Sequence, residues 1–237
     1  MTIVNTGAKY NAEIGSAQES LASTHVIDHV PMNGSLKCNL EGAAVNIEIF
    51  PTWSERFEAR YHSEAVPAAG SEHIARFLVT QLEQGAEVLV SEDPEWNGSF
   101  TEKEAGTLKL FVPEHFNISL AARKANVNIS DKLQGSLVVD VEQGDVTVNK
   151  IRGDIVDLQT RSGDIEITKA AEGVISLAAS RQIEARTLLG PSLAATATSS
   201  SGSVSFGAVY CKQSKVKSEG ECLSLTSCAP DTTSRQY

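Results

Sequence analysis

The chain has no apolar run that approaches the roughly 18 residues of a membrane-spanning helix. Its N-terminus also lacks the basic start and apolar core of a signal peptide. These absences predict a soluble chain and favour an intracellular location. Basic residues are few, since 20 lysines and arginines stand against 30 aspartates and glutamates and give a net charge of -10. That balance disfavours nucleic acid or an anionic membrane as the main partner.

The cysteines form no CxxC pair, and no histidines lie near them at the spacing of zinc ligands. His25 and His29 are four residues apart, which on a helix would suit a metal, but their segment alternates like a strand and predicts surface residues. We therefore expect neither a metal nor another cofactor. The four cysteines are predicted to be reduced thiols: Cys38, Cys211, Cys222 and Cys228.

What the chain does have is a repeat of apolar pairs, two positions apart with a mostly polar residue between them, as in a strand with one buried face. Most steps from one pair to the next are 19 residues, and the others are 18 and 21. One set of pairs begins at Leu108, Val127, Val146, Ile165, Ile183, Val204 and Leu223. A second set begins at Ile118, Leu137, Val156, Ile175 and Leu193.

Glycine precedes many of these pairs by two residues, but at Gly153, Gly190 and Gly220 it precedes them by three. Half a repeat, about nine or ten residues, is too short for a strand plus a crossover helix. A fixed period of short strands is typical of stacked architectures. The sequence therefore predicts an all-β fold, a β-solenoid with coils of about 19 residues and two strands per coil. An antiparallel meander stays open as the alternative.

A small core side chain in one coil is expected to be balanced by a large one in the neighbouring coil. Ala185 and Ala195 are small where other coils carry larger apolar residues, and the next coil supplies Phe206. Because protein interiors are close-packed, we predict that the Phe206 ring fills the space beside these alanines.

The chain is predicted to contain four regions. They are a flexible N-terminal tail (1–24), a capping β region (25–105), the solenoid (106–228) and a C-terminal tail (229–237). In the cap, apolar spacing between Ser71 and Gln84 predicts one short helix, which Gly85 would end. No comparable cap follows Leu225, so the last coil is predicted to be open.

Several segments carry a family resemblance: Val112–Leu120, Gln143–Val148, Arg152–Leu158, Arg161–Ile167 and Ser201–Phe206. Together they resemble the putative adhesin repeat domain, a widespread family of unknown function, over roughly residues 105–226. The stretches Gly190–Thr198 and Gly207–Gly220 are similar to its uncharacterised eukaryotic members. The resemblance implies a β-solenoid and brings no established catalytic residues to this chain.

Three aspartates follow glycines at predicted corners and could form an acidic ladder: Asp145, Asp154 and Asp164. Such a ladder could hold calcium, but calcium-binding β-rolls are denser in glycine, so a turn-forming role is favoured. Arg152-Gly153-Asp154 also spells the integrin-recognition tripeptide. The repeated corner accounts for it without a receptor.

Glu166 and Glu184 occupy the same outward position on successive coils, which would place them near 5 Å apart. That separation lies in the range of a retaining glycosidase pair. A solvated pair of glutamates is favoured, because nothing around them indicates a cleft.

We therefore expect a non-enzymatic scaffold or interaction module, without nucleic acid or a membrane span. It would bind a protein partner or self-associate through the open C-terminal coil. The alternative is a carbohydrate-active β-helix, either a polysaccharide hydrolase or a binding protein, in which Glu166 and Glu184 would be the acids.

Overall fold

A computed structural model describes residues 21–42, 44–63, 77–82, 86–92, 106–220 and 222–228. In these ranges all regular structure is β, and fourteen strands form one sheet. The strands are β1 Leu21–Ile27, β2 Ser35–Leu40, β3 Val45–Thr52, β4 Phe57–Ser63, β5 Phe77–Gln81, β6 Glu87–Glu92, β7 Gly106–Pro113, β8 Asn117–Leu133, β9 Leu137–Gln143, β10 Val146–Thr160, β11 Ile165–Ala179, β12 Gln182–Ala197, β13 Ser203–Ser218 and β14 Cys222–Cys228. Across the same ranges, no helix could serve as a membrane span.

The strands stack in parallel, and the repeat gives their register. On one side, here called column A, Val146 pairs with Val127 below it and Ile165 above it. On the other side, column B, Val156 pairs with Leu137 and Ile175. The predicted contact between residues 19 apart is thus confirmed for these strands. The result is an all-β, solenoid-like stack rather than an antiparallel meander.

Each turn of the stack also contains a short third paired segment, which the prediction of two strands per coil did not include. Strand β10 pairs with β11 over 146–148, 150–152 and 155–160, with irregular register between these stretches. The middle stretch contributes its own column of buried side chains. These are Leu133, Ile151, Ala171, Leu188 and Val209. Because only one residue per turn is buried in this segment, it shows no apolar pair in the sequence.

The N-terminal strands enter the stack instead of only covering its end. Ile47 of β3 pairs with both Leu108 and Val127. The expectation that Leu108 and Val127 lie in directly neighbouring coils is therefore wrong, since β3 lies between them. In column B, β2 likewise pairs with the first part of β8, and Leu36 lies opposite Ile118.

Antiparallel strands close this end of the stack. Strand β4 pairs with β7, and β1 pairs with β4, at the end of column A. At the end of column B, β5 pairs with β6. Covering an otherwise open sheet edge in this way is the role predicted for residues 25–105, although their limits as a domain stay a prediction.

Two predictions about this region are wrong. Within the segment predicted to be a helix, the chain instead forms strand β5. Phe77 and Val79 of this strand are buried while Leu78 is exposed, as the alternation of a strand requires. Residues 71–76 and 83–84 of that helix lie outside the described residues, as does Gly85, which was predicted to end it. Strand β1 begins at Leu21, so the predicted tail of 1–24 ends too late. Pairing with β4 gives these four residues partners that their own composition does not predict.

The core follows the stack, and its packing depends on neighbouring coils. Phe206 is 1% exposed and lies opposite Ala185 in the register, so a large side chain faces a small one. Cys38 is also buried, and burial, followed by the charge of Glu92, raises the pKa of its thiol to about 12. This thiol is therefore protonated and unreactive in the folded protein.

His25 is buried, against the prediction of a surface residue. It lies on β1 opposite Ala59, and its Nε2 has no hydrogen-bond partner. Ser23 on the same strand is buried with an unpartnered hydroxyl. Burial lowers the pKa of His25, because desolvation disfavours the charged imidazolium.

Candidate functional site

Each turn has two corners of different construction. After column A the chain runs through the third segment to the first corner, which contains Gly153 or Gly173. It then follows column B to the second corner, which contains Gly144 or Gly163. We call the first the groove corner and the second the ladder corner.

At the ladder corner, an amide or carboxylate oxygen accepts a hydrogen bond from the backbone of the next coil. Asp145 N–H donates to Oδ1 of Asn126 at 3.1 Å, and Asp164 N–H donates to Oδ1 of Asp145 at 2.9 Å. Gln182 N–H donates to Oδ1 of Asp164, also at 2.9 Å. Three side chains therefore join four successive coils.

Arg181 supplies positive charge to this ladder. Its Nη2 lies 3.2 Å from Oδ1 of Asp145 and 2.9 Å from Oδ2 of Asp164. The guanidinium thus occupies the position beside both carboxylates that a calcium ion would need. In the described ranges, no group of three or more histidine, cysteine, aspartate or glutamate side chains could hold a metal.

Asp154 does not belong to the ladder, so the three aspartates that could have formed one ladder are divided between the two corners. Gly153, which precedes it, lies between Gly135 and Gly173 at the groove corner. A Cβ on Gly153 would lie 2.3 Å from the carbonyl oxygen of Gly135, and one on Gly173 would lie 2.1 Å from that of Gly153. Only glycine permits coils to approach this closely.

The stacked glycines form the floor of an open groove of about 640 Å³, which we call the glycine groove. Its floor continues to Gly190. One wall comes from the residues that precede the glycines, and the other begins with the residues that follow them. The first wall consists of Gln134, Arg152, Glu172 and Leu189, and the second includes Ser136 and Asp154. Asn33, His115 and Asn117 line the N-terminal end.

Hydrogen bonds and one ion pair fix these walls. Asn117 Oδ1 accepts from Ser136 N–H at 2.8 Å, and Ser136 Oγ accepts from Ile155 N–H at 3.3 Å. Arg152 Nε lies 3.2 Å from Oε2 of Glu172. Asp154 is exposed, and no described residue pairs with its carboxylate. The groove therefore has one acidic group without a counter-ion.

Two exposed apolar residues directly follow groove-lining residues in the chain: Ile155 follows Asp154, and Val174 follows Gly173. We call these two residues the apolar rim. Ile155 is 49% exposed and Val174 is 44% exposed, and the two are register partners on column B. Most other outward positions of the stack carry polar side chains, for example Asp157 and Ser176 on the same strands. Two adjacent exposed aliphatic side chains are therefore a distinctive feature of this surface.

The integrin-like tripeptide crosses the groove corner. Arg152 is paired with Glu172 in the wall, Gly153 belongs to the floor and Asp154 begins the other wall. The three residues lie within strand β10 and not at the tip of a loop. This geometry gives no support to a receptor-binding role.

Glu166 and Glu184 are register partners on column A, as the repeat predicts. Both are exposed, and Gln182 Nε2 donates to Oε2 of Glu184 at 3.3 Å. Neither residue lines the glycine groove. The structure therefore brings these two glutamates together, next to the ladder corner, where Gln182 bonds to both Asp164 and Glu184.

Sequence reasoning missed several residues of both corners, although the repeat contained the signal. Asn126 stands 19 residues before Asp145, and Asn117 stands 19 residues before Ser136. The 19-residue spacing does not single out Arg181, because this residue lies in the coil whose step, from Ile165 to Ile183, is 18 residues.

Comparison with known protein families decides the relationship of this chain. A family profile described as Toastrack DUF4097 matches residues 42–227, more than half of the chain. The chain belongs to the Toastrack DUF4097 family. Membership agrees with the solenoid-like stack of strands described above, and it assigns no site.

Solved structures resemble this Toastrack chain in fold. A putative adhesin from Bacteroides fragilis has a TM-score of 0.51 at 14% identity, over 86% of this chain and 96% of that one. A putative adhesin from Parabacteroides distasonis has a TM-score of 0.44 at 11% identity, over 88% and 97%. A putative lipid binding protein from the same species has a TM-score of 0.39 at 12% identity, over 89% and 98%.

These neighbours are bacterial, so the suggested likeness to eukaryotic members of the family gains no support from them. No curated protein matches the chain. At 14% identity, the Bacteroides fragilis structure shows a likeness in fold only.

Proposed function

We propose that this Toastrack chain is a non-enzymatic interaction module that binds a protein partner beside the glycine groove. The observation that carries the proposal is the exposed pair of Ile155 and Val174, next to a polar groove. Exposed apolar side chains surrounded by polar groups are typical of interaction sites. The adhesin names of the bacterial neighbours support the same class of function.

Site-specific photo-cross-linking tests this proposal. A photoreactive amino acid is placed at Val174, and the matched control has it at Glu166, which is exposed on column A. We expect a protein adduct from cell extract at Val174 but not at Glu166. The captured protein is then purified and titrated with the wild-type chain and with Ile155→Asn, which should weaken binding. Identical adducts at both positions, or equal binding of both chains, would contradict the proposal.

Self-association through the C-terminal end is a second candidate, because β14 pairs only with β13 among the described residues. At the end of column B, however, β13 carries Lys215 and Lys217 at exposed positions. Lysines on an edge strand oppose pairing with another strand. Sedimentation velocity over a range of concentrations, repeated with Leu223→Glu, tests this candidate. A strictly monomeric wild-type chain would exclude the end-to-end contact.

The carbohydrate-active alternative rests on the register pair of Glu166 and Glu184. It requires that Glu166→Gln or Glu184→Gln abolish hydrolysis of some polysaccharide while leaving the fold intact. The absence of hydrolysis across a broad glycan panel would end this alternative.

A further inference from the structure

The chemistry of the glycine groove indicates the kind of partner segment that would fit it. Arg152 and Glu172 pair with each other across two coils, so their charges are largely compensated. Asp154 has no such partner within the described residues. A carboxylate in a groove favours a cationic group of the ligand. A phosphate or another anion would face like charge there.

The residues beside Asp154 add an apolar contact. Ile155 follows it in the chain, and Val174 is the register partner of Ile155. A ligand whose cation reaches Asp154 can therefore place a neighbouring aliphatic side chain on these two. Burying such exposed apolar surface on binding is favourable, by about 25 cal/mol per Å² before the losses of association are subtracted.

The coil on the N-terminal side of Asp154 offers hydrogen-bonding groups. Asn117 Oδ1 and Ser136 Oγ accept backbone N–H groups, which leaves the amide hydrogens of Asn117 and the hydroxyl hydrogen of Ser136 for a ligand. The glycine floor adds no side chain that would block a peptide backbone. These donors suit the carbonyl oxygens of an extended polypeptide.

The length of the groove limits the length of the segment. From Gly135 to Gly190 the floor crosses three coil steps of about 4.8 Å each, or about 14 Å. An extended chain rises about 3.3 Å per residue, so four or five residues fill the groove. The exposed aliphatic side chains of Ile155 and Val174 suit an aliphatic side chain of such a peptide.

We propose that the glycine groove binds an extended polypeptide segment whose lysine or arginine pairs with Asp154 and whose neighbouring aliphatic side chain packs on Ile155 and Val174. This inference rests on the proposed function and names the chemistry of its partner. The pairing carboxylate, the apolar rim and the donors of Asn117 and Ser136 are its three contacts.

The test is an array of capped peptides of about five residues, probed with the full chain in about 0.15 M salt. Their central residue is lysine, arginine, alanine or glutamate, and the flanking residues are valines or serines. A second array carries neutral oligosaccharides. We expect binding of peptides that combine a basic centre with valines. Binding should fall about fivefold in Asp154→Asn and also in Val174→Ser.

The matched control is Asp140→Asn, which removes an exposed carboxylate elsewhere on column B. It should change binding less than about twofold, because it alters the net charge equally but not the groove. Thermal melts show whether each variant folds like the wild-type chain.

Several outcomes would overturn the inference. These are equal effects of Asp154→Asn and Asp140→Asn, equal binding of glutamate-centred peptides, binding only to the oligosaccharides, and no peptide binding up to about 1 mM. The proposed function is judged separately by the adduct at Val174. If that adduct forms and survives Asp154→Asn, the module binds a protein, but not through a cationic segment.

Discussion

The same dipeptide, Gly-Asp, has different roles at the two corners of the stack. At the ladder corner, Asp145 and Asp164 accept backbone N–H groups of the next coil and share the guanidinium of Arg181. At the groove corner, Asp154 is exposed, and no described residue pairs with it. The first two carboxylates hold coils together, whereas the third is available to a ligand.

The difference comes from one residue of spacing. Gly144 and Gly163 stand two residues before an apolar pair, but Gly153 stands three before Val156. Ile155, not Asp154, then lies one repeat after Ser136, and its N–H donates to the Ser136 hydroxyl. Asp154 is displaced from the position at which it could bond to a neighbouring coil. A motif in a repeat protein therefore acquires its role from its register.

The largest effect should come from the glycines, where both corners should be equally intolerant. Gly144 has a φ of 133° and Gly173 one of 141°, and an added Cβ would lie 2.0 Å from Ala125 O or 2.1 Å from Gly153 O. We expect Gly144→Ala and Gly173→Ala each to lower the free energy of unfolding by about 3 kcal/mol or more. Urea denaturation measures this loss.

Gly42→Ala is the control for these variants, because the three atoms nearest to its Cβ belong to the flexible end of the Glu92 side chain. Its effect should stay within about 0.5 kcal/mol. Tolerance of alanine at Gly173 but not at Gly144 would show that the groove floor is less closely packed than described.

Replacing an aspartate by alanine should affect the free energy of unfolding differently at the two corners. Asp145→Ala removes the acceptor for Asp164 N–H and one partner of Arg181, and should lower the free energy of unfolding by about 1–2 kcal/mol. Asp154→Ala should change it by less than about 0.5 kcal/mol. Asp145→Asn keeps Oδ1, as Asn126 does one coil below, and should retain most of the stability. Equal losses in both alanine variants would refute the distinction.

The two arginines extend the comparison to charge. Arg181 contacts two ladder carboxylates, whereas Arg152 contacts only Glu172 among the described residues. Arg181→Gln should therefore destabilise by about 1 kcal/mol and Arg152→Gln by about half of that or less, since both arginine side chains are largely exposed. Thermal melts in low and high salt test whether these losses are electrostatic, because about 1 M salt should reduce the difference between the two variants.

The smallest expected effect is a decrease in stability at acid pH that arises outside both corners. It has to be subtracted when the stabilities of variants at the two corners are compared. The pKa of His25 is lowered from its ordinary value of 6.5 by burial. Above pH 6.5 the histidine is neutral in both states. As the pH falls below 6.5, the unfolded chain binds a proton more readily than the folded chain, so stability decreases.

His25→Leu should abolish this part of the acid slope, because it removes the only group that titrates there on β1 in the described residues. Denaturant midpoints measured between pH 8 and pH 5 test the expectation. An unchanged slope in the variant would assign the acid dependence to other groups.

Much of the stack follows from the sequence because its register repeats. Val127, Val146 and Ile165 are neighbours as the period predicts, and Phe206 lies opposite Ala185. The periodicity could not predict that strand β3 lies between Leu108 and Val127. Strand β3 comes from a distant part of the chain, and the spacing of the repeat carries no information on such nonlocal pairing. The helix prediction failed at Phe77–Gln81 because short apolar runs fit both periods, and pairing with β6 decides for a strand.

The candidate site was predicted only in its parts. Asp145, Asp154 and Asp164 were singled out, but treating every Gly-Asp as one kind of corner hid the groove. The walls combine residues from separate coils, such as Arg152 with Glu172, and the ion pair depends on three-dimensional register. Asp154 becomes a candidate for recognition only once the structure shows which residues surround it.

Disulfide trapping of paired cysteines tests most directly whether the aspartates are divided between two corners. Asp145→Cys with Asp164→Cys places thiols on stacked coils about 5 Å apart, within reach of a disulfide. Asp145→Cys with Asp154→Cys is closer in sequence, but the corners lie at opposite ends of column B, roughly 20 Å apart. Peptide mapping after mild oxidation should show the first bond and not the second. A bond between positions 145 and 154, with none between 145 and 164, would contradict the account.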